Sequence, residues 1–145
     1  MRLWHYQLLP YLPDAQFKGQ LRELVAIMHD LRDKGKTNHV LINIVQEFTP
    51  RNLCAYFFEY EKEYLRRYNK RINHLIISEF TAFCGETKLY TDPFQGWHSR
   101  AYLRMNMANL YEKFVYGRGK SRITDEEWQR LLDGYRDITG EDYLI

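Results

Sequence analysis

The sequence predicts an all-α protein: a compact, single-domain bundle of three to four helices led in by an extended N-terminal segment. Three observations carry this. Apolar residues recur at helical spacing in several separated stretches, capping residues stand at the starts of those stretches, and no segments alternate as half-buried strands do, although short strands are not excluded. At 145 residues the chain reads as one domain, 1–145, long enough to bury a real core.

Met1 to Pro13 (MRLWHYQLLPYLP) is short, apolar and interrupted by Pro10 and Pro13, so it reads as an extended lead-in packed on the body. Asp14 then reads as the N-cap of a first helix that runs to about Leu31. Phe17, Leu21, Leu24, Met28 and Leu31 form its apolar stripe, with Val25 and Ile27 at the margins. Arg22 and Glu23 lie on the polar side, so Glu23 is expected to point well away from the core. The small residues Gly19 and Ala26, one turn to either side of Glu23, suggest that another backbone or a ligand comes close there. Residues 33–37 (DKGKT) form a polar, basic turn, and Asn38 to Gln46 is mostly apolar but too short to assign.

Thr49 as N-cap and Pro50 at the first helical position open a long pattern through Leu53, Phe57, Leu65, Tyr68, Ile72, Leu75, Phe80 and Phe83. It is expected to break near Tyr68-Asn69 or to end at Cys84-Gly85. Its other side carries Lys62, Arg66, Arg67, Lys70 and Arg71, interleaved with Tyr64 and Tyr68. Such a ridge is more often a solvated face than a phosphate track, and Glu59, Glu61 and Glu63 offer local ion-pair partners. Residues 87–96 (TKLYTDPFQG) read as a loop. A third helix is expected from about Trp97 to Tyr116, with Leu103, Met107, Leu110 and Phe114 facing inward, followed by a flexible basic stretch, 117–122 (GRGKSR). Thr124-Asp125-Glu126-Glu127 is a capping box, stapled by Ile123 and Trp128, and opens a last helix to about Asp137.

The net charge is only +2, so a nucleic-acid role must come from clustering of the 21 Lys and Arg. The 12 tyrosines suggest aromatic contact surfaces. Cys54 and Cys84 fit no metal spacing and read as reduced thiols of a cytosolic protein. His5 and His98 read as structural histidines, and neither a metal nor a cofactor is expected. The first twenty residues hold no unbroken apolar run, which points to neither a signal peptide nor a membrane span and so to the cytoplasm.

Three separated stretches carry a resemblance: Met1-Arg2-Leu3-Trp4-His5, then Gly19-Gln20-Leu21-Arg22-Glu23-Leu24, then Trp97-His98 with Tyr102-Leu103 and Asn109-Leu110-Tyr111-Glu112-Lys113. In this order they resemble the pyrimidine-dimer DNA glycosylase family of phage endonuclease V type and its bacterial relatives. The N-terminal block is the more specific part, and after Lys120 little corresponds. The resemblance implies a compact all-α domain that binds duplex DNA, extrudes a nucleotide and attacks the sugar C1′ with its N-terminal α-amine. The resulting Schiff base then breaks the strand by β-elimination. The amine would be that of Met1 and the assisting carboxylate Glu23, while Arg2, Arg22 and Lys113 match basic positions near the DNA. Lys18, Lys36, Arg118 and Lys120 complete the expected DNA face. Two departures stand out. Arg2 is too bulky for aminopeptidase removal of Met1, so Met1 itself would serve after deformylation, and Ala26 and Asn109 stand where the phage family carries arginines.

The chemistry has its own logic. An α-amine with a reference pKa of about 7.7–8.0 is roughly 10–20% neutral at pH 7, far more than a lysine. A neighbouring carboxylate favours the ammonium form, so Glu23 would act instead as a proton acceptor and as a stabiliser of the cationic sugar. The expected partner is double-stranded DNA with a damaged or abasic nucleotide, bound by a monomer without any membrane. The competing readings are a non-catalytic DNA-binding module of the same fold and a helical protein-interaction domain that uses its tyrosines.

Overall fold

The computed structural model describes residues 2–40, 42–85 and 92–145, and every regular element among them is helical. Five α-helices follow one another: α1 (Asp14–Lys34), α2 (Pro50–Tyr68), α3 (His74–Cys84), α4 (Arg100–Tyr116) and α5 (Asp125–Thr139). Short 3₁₀ turns span Tyr6–Tyr11, Asn43–Glu47 and Gly119–Ser121. The all-α reading holds. The helix count exceeds three to four because the long pattern after Pro50 is both broken and ended at the two places the sequence offered. Asn69 adopts a left-handed conformation (φ 51°) and closes α2 with its N–H on the Leu65 carbonyl. Asn73 restarts the helix by accepting from the Leu75 N–H, and Gly85 (φ 73°) closes α3.

That break overturns the reading of Cys54 and Cys84 as reduced thiols. They form a disulfide that joins α2 to α3, with Cα atoms 5.9 Å apart. In one unbroken helix, 30 residues of separation would span about 45 Å. The turn after Tyr68 instead folds α3 back along α2, stacks Phe57 on Phe80 with centroids 3.9 Å apart, and brings the two sulfurs together.

Several boundaries shift for identifiable reasons. The N-terminal lead-in is extended only up to His5; Tyr6–Tyr11 then winds into a 3₁₀ helix that tolerates Pro10, with the His5 ring accepting from the Gln7 N–H as its cap. Pro13, not Asp14, is the N-cap of α1; the Asp14 carboxylate is taken by the Tyr68 hydroxyl and by Lys18. α1 also runs past Leu31 to Lys34, where Gly35 (φ 71°) ends it. α4 starts at Arg100 because the Ser99 hydroxyl accepts from the Tyr102 N–H. The α5 capping box is present as read, with Ile123 and Trp128 buried. Of the expected loop at 87–96, residues 87–91 lie outside the described residues.

The core gathers Leu3, Leu8, Leu9 and Leu12 of the lead-in with Phe17, Leu24, Ile27 and Met28 of α1, Tyr56, Phe57 and Tyr60 of α2, and Leu103, Met107 and Leu110 of α4. α5 closes it with Leu131 and Tyr135, and the Tyr11 ring lies so close to this helix that a Cβ at Gly134 would sit 2.4 Å from it. The buried face of α1 is rotated from the expected stripe. Ile27, Gln16 and Gln20 are inside, whereas Leu21 and Leu31 are half-buried. The side of α1 that carries positions 16, 20, 23 and 27 therefore faces protein, because the N-terminal segment lies over it.

Candidate active site

Residues 2–5 have no secondary structure of their own, so their backbone groups must find partners elsewhere. Three helices supply them with side chains. From α1, Gln20 donates to the Arg2 carbonyl (2.7 Å) and accepts from the Trp4 N–H (2.8 Å), while Glu23 accepts from the Arg2 N–H (3.0 Å). From α2, the Tyr56 hydroxyl donates to the Trp4 carbonyl (2.6 Å). From α4, Tyr102 donates to the Leu3 carbonyl and Asn106 accepts from the His5 N–H (2.6 Å). Gln20 is fully used, since its oxygen also accepts from Tyr56 and its nitrogen also reaches the Glu23 carboxylate at 3.2 Å. Removing it would strand several buried polar groups at about 1–3 kcal/mol each.

Both histidines of this region are buried and bond backbone groups, as expected of structural histidines, although His98 Nε2 has no hydrogen-bond partner among the described residues. The His5 ring accepts from the Gln7 N–H and bonds the His98 carbonyl, and the His98 ring accepts from the Tyr6 N–H. Burial pushes His5 down to about 4 and His98 to about 2, so both stay neutral at physiological pH.

Where the segment ends between α1 and α4, a cavity of about 420 Å³ opens. Arg2, Trp4 and Glu23 line it on one side; Asn109, Glu112, Lys113 and Tyr116, on one face of α4, line it on the other, and Gly117 and Ser121 form its rim. Glu23 does not point away from the core, as its place on the polar side of the helix suggested. It is half-buried, and burial raises its pKa against the lowering effect of the Arg2 N–H. Arg2 turns its guanidinium over the Trp4 ring, 4.8 Å from the centroid. The cavity thus holds two carboxylates, Glu23 with a raised proton affinity and Glu112, beside two cations, Arg2 and Lys113, a set that can move a proton and offer two charged contacts to an anionic substrate.

The expected residues divide accordingly. Arg2, Glu23 and Lys113 meet at the cavity. Arg118 and Lys120 are exposed in the turn whose ends, Gly117 and Ser121, form the rim, and Gln16 ties that turn to α1 by donating to the Ser121 carbonyl (3.0 Å). Arg22 is exposed one position before Glu23 and reaches back over Gly19, where an added Cβ would meet its guanidinium at 3.6 Å. That is an ordinary contact distance, so a side chain would fit at Gly19, and neither Gly19 nor Ala26 lines the cavity. Lys18, paired with Asp14 at 3.1 Å, and the exposed Lys36 do not line the cavity. Met1 lies outside the described residues.

The basic ridge along and just beyond α2 is mostly the ion-paired face that its glutamates suggested, and of its cations only Lys70 makes no ion pair among the described residues. Lys62 pairs with Glu59, Arg66 and Arg67 with the buried Glu63, and Arg71 with Glu61. Arg67 is structural: it donates to the Leu9 and Leu12 carbonyls and covers the Phe17 ring at 4.2 Å. Sequence reasoning missed Gln20, Tyr56, Tyr102 and Asn106, the side chains that hold the segment. One signal was available, because Gln16, Gln20 and Glu23 recur at helical spacing beside the apolar stripe, as polar residues on a protein-facing strip do.

The sequence pattern described as pyrimidine dimer DNA glycosylase matches residues 1–75, just over half of the chain. The chain belongs to that family. The match takes in Arg2, Gln20, Arg22, Glu23 and Tyr56, so the family's region includes the α1 side of the cavity and the N-terminal segment. The α4 side, with Asn109 and Lys113, lies beyond it. Family membership makes DNA the substrate class and base excision the activity class. No curated protein and no solved structure matches the chain.

Proposed function

We propose that this glycosylase excises pyrimidine-dimer-like or otherwise damaged bases from duplex DNA through an N-terminal Schiff base and then cuts the strand as an abasic-site lyase. The observation that carries the reading is the hydrogen bond from the Arg2 N–H to Glu23 beside an open cavity. Met1 is the residue joined to that nitrogen, so the proposed nucleophile belongs to the residue that precedes the backbone group held by Glu23.

In this mechanism the neutral Met1 amine attacks C1′ of an extruded nucleotide. The base leaves with the electrons of the glycosidic bond, and the proton lost by the amine passes through Glu23. The carboxylate also stabilises the positive charge that develops on the sugar. Glu23 returns the proton taken from the amine to O4′ as the C1′–O4′ bond breaks and the sugar ring opens to the protonated imine, and loss of a C2′ proton then expels the 3′ phosphate. Arg2 and Lys113 would hold the flanking phosphates, joined by Arg22, Arg118 and Lys120 around the rim. The protein acts as a monomer, as a single domain, without cofactor, in the cytoplasm at the nucleoid where its substrate is.

The test is borohydride trapping on an abasic duplex followed by peptide mapping. The expected adduct is on Met1, and acetylating the N-terminus abolishes it while leaving DNA binding intact. An adduct on an internal lysine would overturn the nucleophile assignment.

A further inference from the structure

The many tyrosines suggested contact surfaces, yet almost all of those described are committed inside the protein. Tyr56, Tyr60 and Tyr135 are buried; Tyr6, Tyr64, Tyr68, Tyr102, Tyr111 and Tyr143 pair with other rings, and Tyr11 bonds Asp137. Among the described tyrosines Tyr116 alone has neither a ring partner nor a hydrogen bond. It is 77% exposed, and it lines the same cavity as Glu23.

Its position is fixed by the chain around it. Tyr116 is the last residue of α4, and the following Gly117 bonds the Lys113 carbonyl at 2.9 Å. A Cβ at Gly117 would sit 2.1 Å from the Lys113 oxygen and 3.2 Å from the Arg122 Cα. Only glycine lets the chain turn so sharply there, and the turn leaves the preceding ring standing at the cavity wall. Trp4, the other aromatic residue of that cavity, is 5% exposed and already covered by Arg2.

We propose that Tyr116 is the specificity-determining platform of the site: its ring stacks on the base of the nucleotide whose sugar is delivered to Glu23. This rests on the glycosylase reading of the cavity. A nucleotide leaving the duplex gives up stacking on its neighbours, and an aromatic platform restores it. Stacking distinguishes a base from no base but tolerates changes at the base edge, which suits an enzyme of damaged bases. Tyr116 therefore acts on base-bearing substrates and is idle once the base is gone.

The experiment compares two duplexes identical except at the target position, one with a pyrimidine dimer and one with a tetrahydrofuran abasic analogue. Affinities are measured in a Glu23→Gln background, and recovered duplex is checked to be intact. Tyr116→Ala should weaken binding of the dimer duplex about tenfold and leave the tetrahydrofuran duplex within about twofold. Tyr116→Phe and Tyr116→Trp should restore the difference, since both keep a stacking face. The proposal is overturned if both affinities move together, as for a wedge in the helix or a structural role, if neither moves, if Phe fails to restore, or if the parent protein binds neither duplex. Excision by the protein with Glu23 intact is scored separately. Its absence would remove the glycosylase reading, while the affinity ratio still decides Tyr116.

Discussion

At the scale of single residues, Glu23 sits under two opposing influences. Burial favours its protonated form, and the Arg2 N–H together with the positive charges of Arg2 and Arg22 favours the carboxylate; burial wins, so its pKa is raised. A carboxyl whose folded pKa lies above its unfolded one binds protons more tightly in the native state. It therefore costs stability at pH values above its folded pKa, and that cost disappears as the pH falls below the ordinary carboxylate value of about 4.3. Glu23→Gln keeps an acceptor for the Arg2 N–H and removes the cost. The variant is expected to be at least as stable as the parent in urea at pH 7, and the two should converge below about pH 4. Excision should fall by about a hundredfold or more, because a proton acceptor and a stabilising charge are lost together. DNA affinity should hold or improve. A Glu23→Gln protein that excises its base at near the parental rate would leave Glu23 a structural clamp on Arg2 and nothing more.

Between elements, the disulfide shows where the sequence was legible and where it was not. The αL-prone Asn69 and the glycine at 85 marked the ends of α2 and α3, and the α5 capping box read directly as a helix start. These signals are local, settled by the chemistry of a few neighbouring residues. That α3 doubles back to bring Cys84 to Cys54 is a tertiary fact, and no spacing rule carries it. The α1 face failed for the same reason. Periodicity finds a stripe but prices only apolar burial, whereas Gln16, Gln20 and Glu23 are turned inward by a segment that has to be hydrogen-bonded. Closing a loop of 30 residues is worth about 3–4 kcal/mol by chain entropy. Cys54→Ser/Cys84→Ser, or reduction of the parent, should lower unfolding free energy in urea by about that amount. Because α1, α2 and α4 hold the N-terminal segment without either cysteine, base excision at a temperature where the reduced protein stays folded should be unchanged. An equal loss of activity and stability would tie α3 to the site.

For the whole molecule, the small net charge of +2 hides an uneven distribution. Ion pairs occupy Lys18, Arg32, Lys34, Lys62, Arg66, Arg67, Arg71, Arg100 and Arg136, most of them away from the cavity. Arg2, Arg22, Lys113, Arg118 and Lys120 make no ion pair among the described residues and lie at the cavity, beside it on α1 or on its rim turn, while Lys36, Arg51, Lys70, Arg104, Arg122 and Arg130 are likewise without an ion pair but do not line it. A cation already paired with a carboxylate releases little when a phosphate arrives, while an unpaired one brings its full counterion-release contribution. DNA binding should therefore weaken with salt at a slope set by the unpaired group, about 0.9 per phosphate contacted. Arg22→Ala and Lys120→Ala should each lower the logarithmic slope by about 0.9, and the double variant by about twice that. Lys62→Ala/Arg71→Ala, which removes two paired cations of the ridge along and just beyond α2, should leave the slope unchanged although it removes the same number of positive charges. Anisotropy titrations of one duplex between low and moderate salt distinguish the cases. If the ridge variant flattens the slope and the rim variants do not, the DNA lies along α2 and the cavity between α1 and α4 is not where the nucleotide enters.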